Sequence, residues 1–129
     1  MEYISTRGKV GSIGFIDAFM MGLGNDGGLL VPKQIPQVTI EQLQAWSKLS
    51  YTELVYEIFT LFTNDEIPQD ELKKLIADSY STFRHPEVTP VTKLSDELYL
   101  LELFHGPTFA FKDVALQFMG QLYSYVAQK

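Results

Sequence analysis

One lysine stands out among the residues able to do chemistry. Lys112 follows Phe109 and Phe111 and heads a row of apolar residues at helical spacing, Leu116, Met119, Tyr123 and Val126. At the start of a helix the positive end of the dipole disfavours a cation, and apolar neighbours desolvate it, so both effects favour the neutral amine. A neutral lysine amine is a nucleophile suited to Schiff-base chemistry. The other reading is a lysine whose stem lies along apolar surface while its head reaches solvent and pairs with Asp113 or Glu102. Spacing alone leaves both open and puts the second ahead.

Other candidates are weaker. Gly22, Gly24 and Gly27 spell G-x-G-x-x-G, but the dinucleotide fingerprint must follow a strand and open a helix so that amides meet a pyrophosphate. Here it follows a helical pattern and leads into Leu29-Leu30-Val31-Pro32, which predicts a helix cap and a tight turn. His85 and His105 lack further ligands at metal-binding spacing, so no metal site is expected. His85, before a proline, reads as a surface or capping residue. There is no cysteine, no G-x-S-x-G elbow and no Walker A loop.

The elements that must position Lys112 are mostly helices. Helical spacing follows Ser12 (Phe15, Ile16, Phe19, Met20, Leu23, with a break at Gly24), Thr39 (Ile40, Leu43, Trp46) and Ser50 (Tyr51, Leu54, Val55, Ile58, Phe59, Phe62). Thr39 with Gln42 and Ser50 with Glu53 have capping-box spacing. A further helix opens at Pro68, presents Leu72, Leu75, Ile76, Tyr80 and Phe83 on one face, and ends at His85-Pro86. Seven acids and two bases lie between Glu53 and Asp78, so most of the net charge of -6 decorates solvated helix faces there, Glu66 among them.

Short strands are predicted over Tyr3 to Thr6 and Leu29 to Val31. Val91 to Leu94 and Leu98 to Phe104 form a pair around Ser95-Asp96-Glu97. The last of these is apolar on both faces, as a central strand buried on both sides would be. The final segment, Phe109 to Gln128, is helical in period and apolar around most of its circumference, and so expects burial on most sides. Strand, turn and helix together make the opening half of an α/β unit. The acidic balance and scattered basic residues exclude a nucleic-acid binder, no apolar run is long enough for a membrane span, and a reducing, cytoplasmic setting is expected.

The run Leu101-Glu102-Leu103-Phe104-His105-Gly106-Pro107-Thr108-Phe109-Ala110-Phe111-Lys112-Asp113 resembles, almost letter for letter, the pyridoxal-phosphate lysine segment of the threonine synthase family. Tyr3-Ile4-Ser5-Thr6-Arg7-Gly8 and Asp26-Gly27-Gly28-Leu29 followed by Val31-Pro32 are similar to that family's amino-terminal domain, and Phe109 stands where the family often has leucine. The resemblance implies a mixed α and β, helix-dominated fold: a helical amino-terminal domain over residues 1-93, then over 94-129 the first strand and lysine helix of a tryptophan synthase β-like catalytic domain. It implies a carbon-oxygen lyase that converts O-phospho-L-homoserine and water to L-threonine and phosphate in threonine biosynthesis. Lys112 would carry pyridoxal 5'-phosphate as a Schiff base and then move protons. His105, Thr108 and Asp113 match the motif without an assigned contact, and their supporting readings are a loop-fixing hydrogen bonder, a helix N-cap and a dipole partner.

Family members are several times longer, and their phosphate-binding Gly-rich loop follows the lysine helix. The expectation is therefore an amino-terminal fragment whose partner is the remainder of the catalytic domain. Rival readings are a non-catalytic binding or scaffold module and a related pyridoxal-phosphate-dependent phospho-lyase. The 129-residue chain alone is expected neither to retain pyridoxal phosphate nor to turn over substrate, and to hide its apolar lysine helix by self-association or a rearranged fold. Cofactor absorbance that survives desalting, or a monodisperse monomer by light scattering with that helix protected from exchange, would overturn these expectations.

Overall fold

Residues 1–128 are described by a computed structural model, and five helices are the main regular elements among them. In chain order these are β1 (Tyr3–Ser5), α1 (Phe15–Met21), β2 (Leu30–Pro32), α2 (Ile40–Trp46), α3 (Tyr51–Thr63), α4 (Gln69–Tyr80), β3 (Val91–Lys93), β4 (Tyr99–Leu101) and α5 (Asp113–Ala127), with a single 3-10 turn at Asn64–Glu66. The fold is helix-dominated, with mixed α and β elements. The strands form two separate antiparallel ribbons, β1 with β2 in the register Ile4 to Val31 and β3 with β4 in the register Thr92 to Leu100.

The apolar spacing of α3, α4 and α5 builds one core. Leu72, Leu75, Ile76 and Tyr80 of α4 cluster with Val55 of α3, Ile67 and Val88 of the connections, and Phe118 and Leu122 of α5. Phe59 and Phe118 meet edge-on at 4.6 Å between ring centroids, and Tyr51 meets Tyr80 likewise at 5.0 Å. The buried Tyr80 hydroxyl donates to the Val114 carbonyl at 2.9 Å, and burial pushes its pKa up, so it stays a donor. This bond ties the end of α4 to the first turn of α5.

Local signals are realised closely where partners are local. Thr39 accepts from the Gln42 amide at 3.1 Å while the Gln42 side chain accepts from the Thr39 amide at 2.8 Å. The Glu53 carboxylate accepts from both the amide and the hydroxyl of Ser50. Gly22 caps α1 at φ 69, and Gly27 at φ 77 makes the following turn, as expected of that glycine run.

The two amino-terminal segments that carry the resemblance meet in one knot. The Asp26 carboxylate accepts from the Ser5 hydroxyl at 2.7 Å and from the amides of Gly28 and Lys9, while Arg7 Nη1 donates to the Asp26 carbonyl. A Cβ on Gly28 would collide with Ser5 Oγ and lie 3.0 Å from the Arg7 amide nitrogen, so that position requires glycine for space.

Several expectations need correction. The helix after Ser12 starts at Phe15 as its spacing predicts but ends at Met21, with Gly22 as its cap, rather than at Gly24. Its start is held by Glu66, which accepts from the amides of Phe15 at 2.7 Å and Ile16 at 3.0 Å. Glu66 is therefore not one of the solvated acids. Helix α4 begins at Gln69, with Pro68 as its extended cap, and ends at Tyr80 rather than at His85-Pro86. Helix α5 begins at Asp113, since Phe109 takes a left-handed φ of 65 that interrupts helical backbone. The strand read as central is instead paired only with β3, and all three of its residues are exposed. Helix α5 is likewise covered on one side: Phe118 and Leu122 are buried, whereas Leu116, Met119 and Tyr123 are exposed. Among the described residues no helix is long and apolar enough to cross a membrane.

Replacing Glu66 by alanine orphans two amides of α1 from a distance of some fifty residues. We expect Glu66→Ala to cost about 1 to 2 kcal/mol, read as a lowered urea midpoint with an unchanged m-value. An unchanged midpoint would show that water caps α1 equally well.

Candidate functional site

Lys112 sits immediately before α5 and is exposed. Its carbonyl already accepts from the amides of Ala115 and Leu116, so the backbone is helical even though the residue only caps the helix. Its Nζ lies 5.1 Å from the centre of the Phe111 ring. Among the described residues it makes no ion pair, so the pairing with Asp113 or Glu102 is not formed. The desolvation expected of its apolar neighbours is not present either, because Phe109, Phe111, Leu116 and Met119 are themselves exposed.

The loop that delivers Lys112 is tightly held. Asp113 is 2% exposed, and its Oδ2 accepts from both the amide and the hydroxyl of Thr108 at 2.8 Å, while its Oδ1 accepts from Gln117 Nε2 at 3.3 Å. Burial alone would raise the Asp113 carboxyl. The Thr108 donors, Gln117 and the nearby Arg84 charge outweigh it and hold the group below the usual range. Thr108 is not a helix N-cap, because α5 begins only at Asp113; its hydroxyl donates to Asp113 and accepts from the Ala110 amide at 3.4 Å. Gly106 is required beside this carboxylate, since a Cβ there would come within 2.5 Å of Asp113.

A second anchor holds the start of the loop. His105 Nε2 lies 2.6 Å from Glu102 Oε2, and the Thr92 hydroxyl of β3 donates to Glu102 Oε1 at 2.7 Å. The Thr92 bond first, and His105 next, hold the Glu102 carboxyl below its ordinary range. His105 thus fixes the loop, as its supporting reading supposed. The ring of His85 packs 5.0 Å from that of His105, and His85 Nδ1 accepts from the Glu87 amide, a local capping contact.

Arg84 completes the arrangement, and no sequence signal singled it out. Its amide donates to the His105 carbonyl at 2.9 Å, Nη1 donates to the Gly106 carbonyl at 2.7 Å, and its guanidinium lies 4.3 Å from the centre of the Phe109 ring. All of these partners are more than twenty positions away, beyond any window of periodicity. The glycine run lies elsewhere, in the turn before β2. Among the described residues no three His, Cys, Asp or Glu side chains are grouped to hold a metal.

By the solved structures on which it superimposes, this helical body with two small ribbons and a lysine just before its last helix is the amino-terminal portion of a tryptophan synthase β-like fold. Residues 2–80 match the sequence model of the family described as threonine synthase N terminus. The chain is 52% identical over 126 residues to threonine synthase of Schizosaccharomyces pombe, covering 97% of this chain and 24% of that protein. It superimposes on the crystal structure of PLP-bound threonine synthase from Brucella melitensis with a TM-score of 0.96 at 45% identity, covering 99% of this chain and 28% of that one. On the yeast threonine synthase structure the TM-score is 0.94 at 50% identity, with 98% and 26% covered. The chain belongs to the threonine synthase family, and it spans about a quarter of the length of these relatives.

The lowered Asp113 carboxyl has a consequence for acid stability. Because it titrates below its unfolded value of about 3.9, it stabilises the fold fully above that pH and loses the contribution as pH falls through the folded value. The urea midpoint should therefore drop between about pH 6 and about pH 3, and Asp113→Asn should shrink that drop while lowering the midpoint at the higher pH. An identical acid response in both proteins would remove Asp113 from this role.

Proposed function

We propose that the full-length protein carrying this segment converts O-phospho-L-homoserine and water to L-threonine and phosphate, with Lys112 as the residue that holds pyridoxal phosphate covalently. The observation that carries the reading is the lysine itself: a primary amine outside any ion pair among the described residues, presented by a loop anchored on both sides. An aldehyde cofactor fits that donor, since one unpaired amine is all that covalent attachment requires. When bound, the cofactor supplies an electron sink for carbanions at the substrate's carbons.

The chain's own residues then have defined tasks. With the cofactor in place, Lys112 Nζ would accept a proton from a substrate carbon and return one, which requires the neutral amine. Chain that covers Leu116, Met119 and Tyr123 would exclude water from around it and favour that form. The remainder of the catalytic domain is the partner that this exposed row and the open β4 fit, with the helical domain over residues 1-93 and the catalytic domain beginning at 94. Asp113 and Thr108 keep the first turn of α5 in place while Lys112 moves.

Borohydride reduction of the cofactor-loaded full-length protein should fix the pyridoxyl group on Lys112, as read by peptide mass. Lys112→Ala should abolish this label and lower phosphate release from O-phospho-L-homoserine by roughly 10²- to 10⁴-fold. A label on another lysine would overturn the assignment. Release of a keto acid in place of threonine would identify a related phospho-lyase instead.

A further inference from the structure

We infer that Arg84 is the positioning residue of the lysine loop, holding its backbone from the helical side so that Lys112 is presented in one orientation. The inference rests on the reading of Lys112 as the cofactor lysine. Arg84 lies just beyond the end of α4, outside the residues matched by the family's sequence model, and makes no ion pair among the described residues. Its donors are spent on loop backbone instead. The amide serves the His105 carbonyl, Nη1 serves Gly106 at 2.7 Å, and Nη2 reaches toward Pro107 at 3.5 Å. Three successive carbonyls therefore face one residue.

The same guanidinium covers the ring of Phe109, the residue with φ 65. A left-handed backbone at an aromatic residue is strained and persists only when its surroundings over-determine it. Here the Phe109 amide closes a turn onto the Gly106 carbonyl at 3.2 Å, the carbonyl that also accepts from Arg84. Beyond Phe109 the chain passes to Asp113, whose carboxylate grips Thr108. The segment from His105 to Phe109 is thus held by both a planar cation and a buried carboxylate, and Lys112 is the next side chain but two. A lysine at position 84 has a single ammonium, which cannot serve two carbonyls and lie flat on a ring at once.

The test uses the full-length, cofactor-loaded enzyme with Arg84→Ala and Arg84→Lys. Amide exchange over residues 105–112 should quicken roughly tenfold or more, while exchange within α4 and the thermal midpoint stay as in the parent. Turnover kcat should fall roughly ten- to a hundredfold with KM changed less than about twofold, as for a misplaced reacting group, and Arg84→Lys should recover only part of it. Unchanged loop exchange and kcat in Arg84→Ala would overturn the inference. So would a rise in KM alone, or full recovery by lysine, which would show that charge suffices. Should Arg84→Ala fail to fold, Arg84→Lys decides by the same measurements. Failure of the parent enzyme to label at Lys112 would sink the cofactor reading alone, since loop exchange still reports on the clamp.

Discussion

Helix α5 is held to α4 by Phe118 and Leu122 against the Leu72, Leu75 and Ile76 face, with the Tyr80 hydroxyl bonded to the Val114 carbonyl at their near ends. That contact sets the axis of α5, and so the place where Asp113 and Lys112 enter. Only with α5 in this position can the buried Asp113 carboxylate receive Thr108, and only with α4 ending at Tyr80 can Arg84 reach the carbonyls of the same loop. The candidate site therefore has no framework of its own. It borrows the helical core, whose apolar burial is the dominant favourable term in a domain of this kind.

The same geometry explains why so much apolar surface stays open. A helix apolar around most of its circumference needs two partners, and α4 supplies one. Phe118 and Leu122 face it, while Leu116, Met119 and Tyr123, which follow Lys112 along the helix, face away. The aromatic richness of the sequence divides the same way: Phe118 is buried, Phe104, Phe109 and Phe111 are exposed around the lysine loop, and Tyr123 is exposed further along α5. The β3–β4 ribbon is open on both faces for the same reason, having no second layer to pack on.

Elements whose partners lie within a few residues were legible in the sequence. The capping boxes at Thr39 and Ser50, the buried face of α4 and the glycine turn after α1 all follow from spacings of one to four residues. Glu66, Asp26 and Arg84 were not legible, because their hydrogen bonds join segments about twenty to fifty positions apart and leave no periodic trace. Glu66 in particular sits in an acidic run that composition assigns to solvent. The start of α5 was missed by four residues for a related reason: Phe109 and Ala110 suit a helix by type, and what excludes them is a backbone conformation held by distant groups.

The sequence by itself determined the helical, acidic body, the ordinary turn role of Gly22, Gly24 and Gly27, and Lys112 as the residue worth examining, since side-chain type and local period suffice for these. Tertiary structure alone decided which groups hold the lysine loop and which face of α5 is left open. Burial turns Asp113 from a first-turn acid into the anchor of Thr108, and chain reversal after α4 brings Arg84 onto carbonyls it could not have met locally. Hydrogen bonds of this kind depend on distance and direction in space, and sequence spacing carries neither.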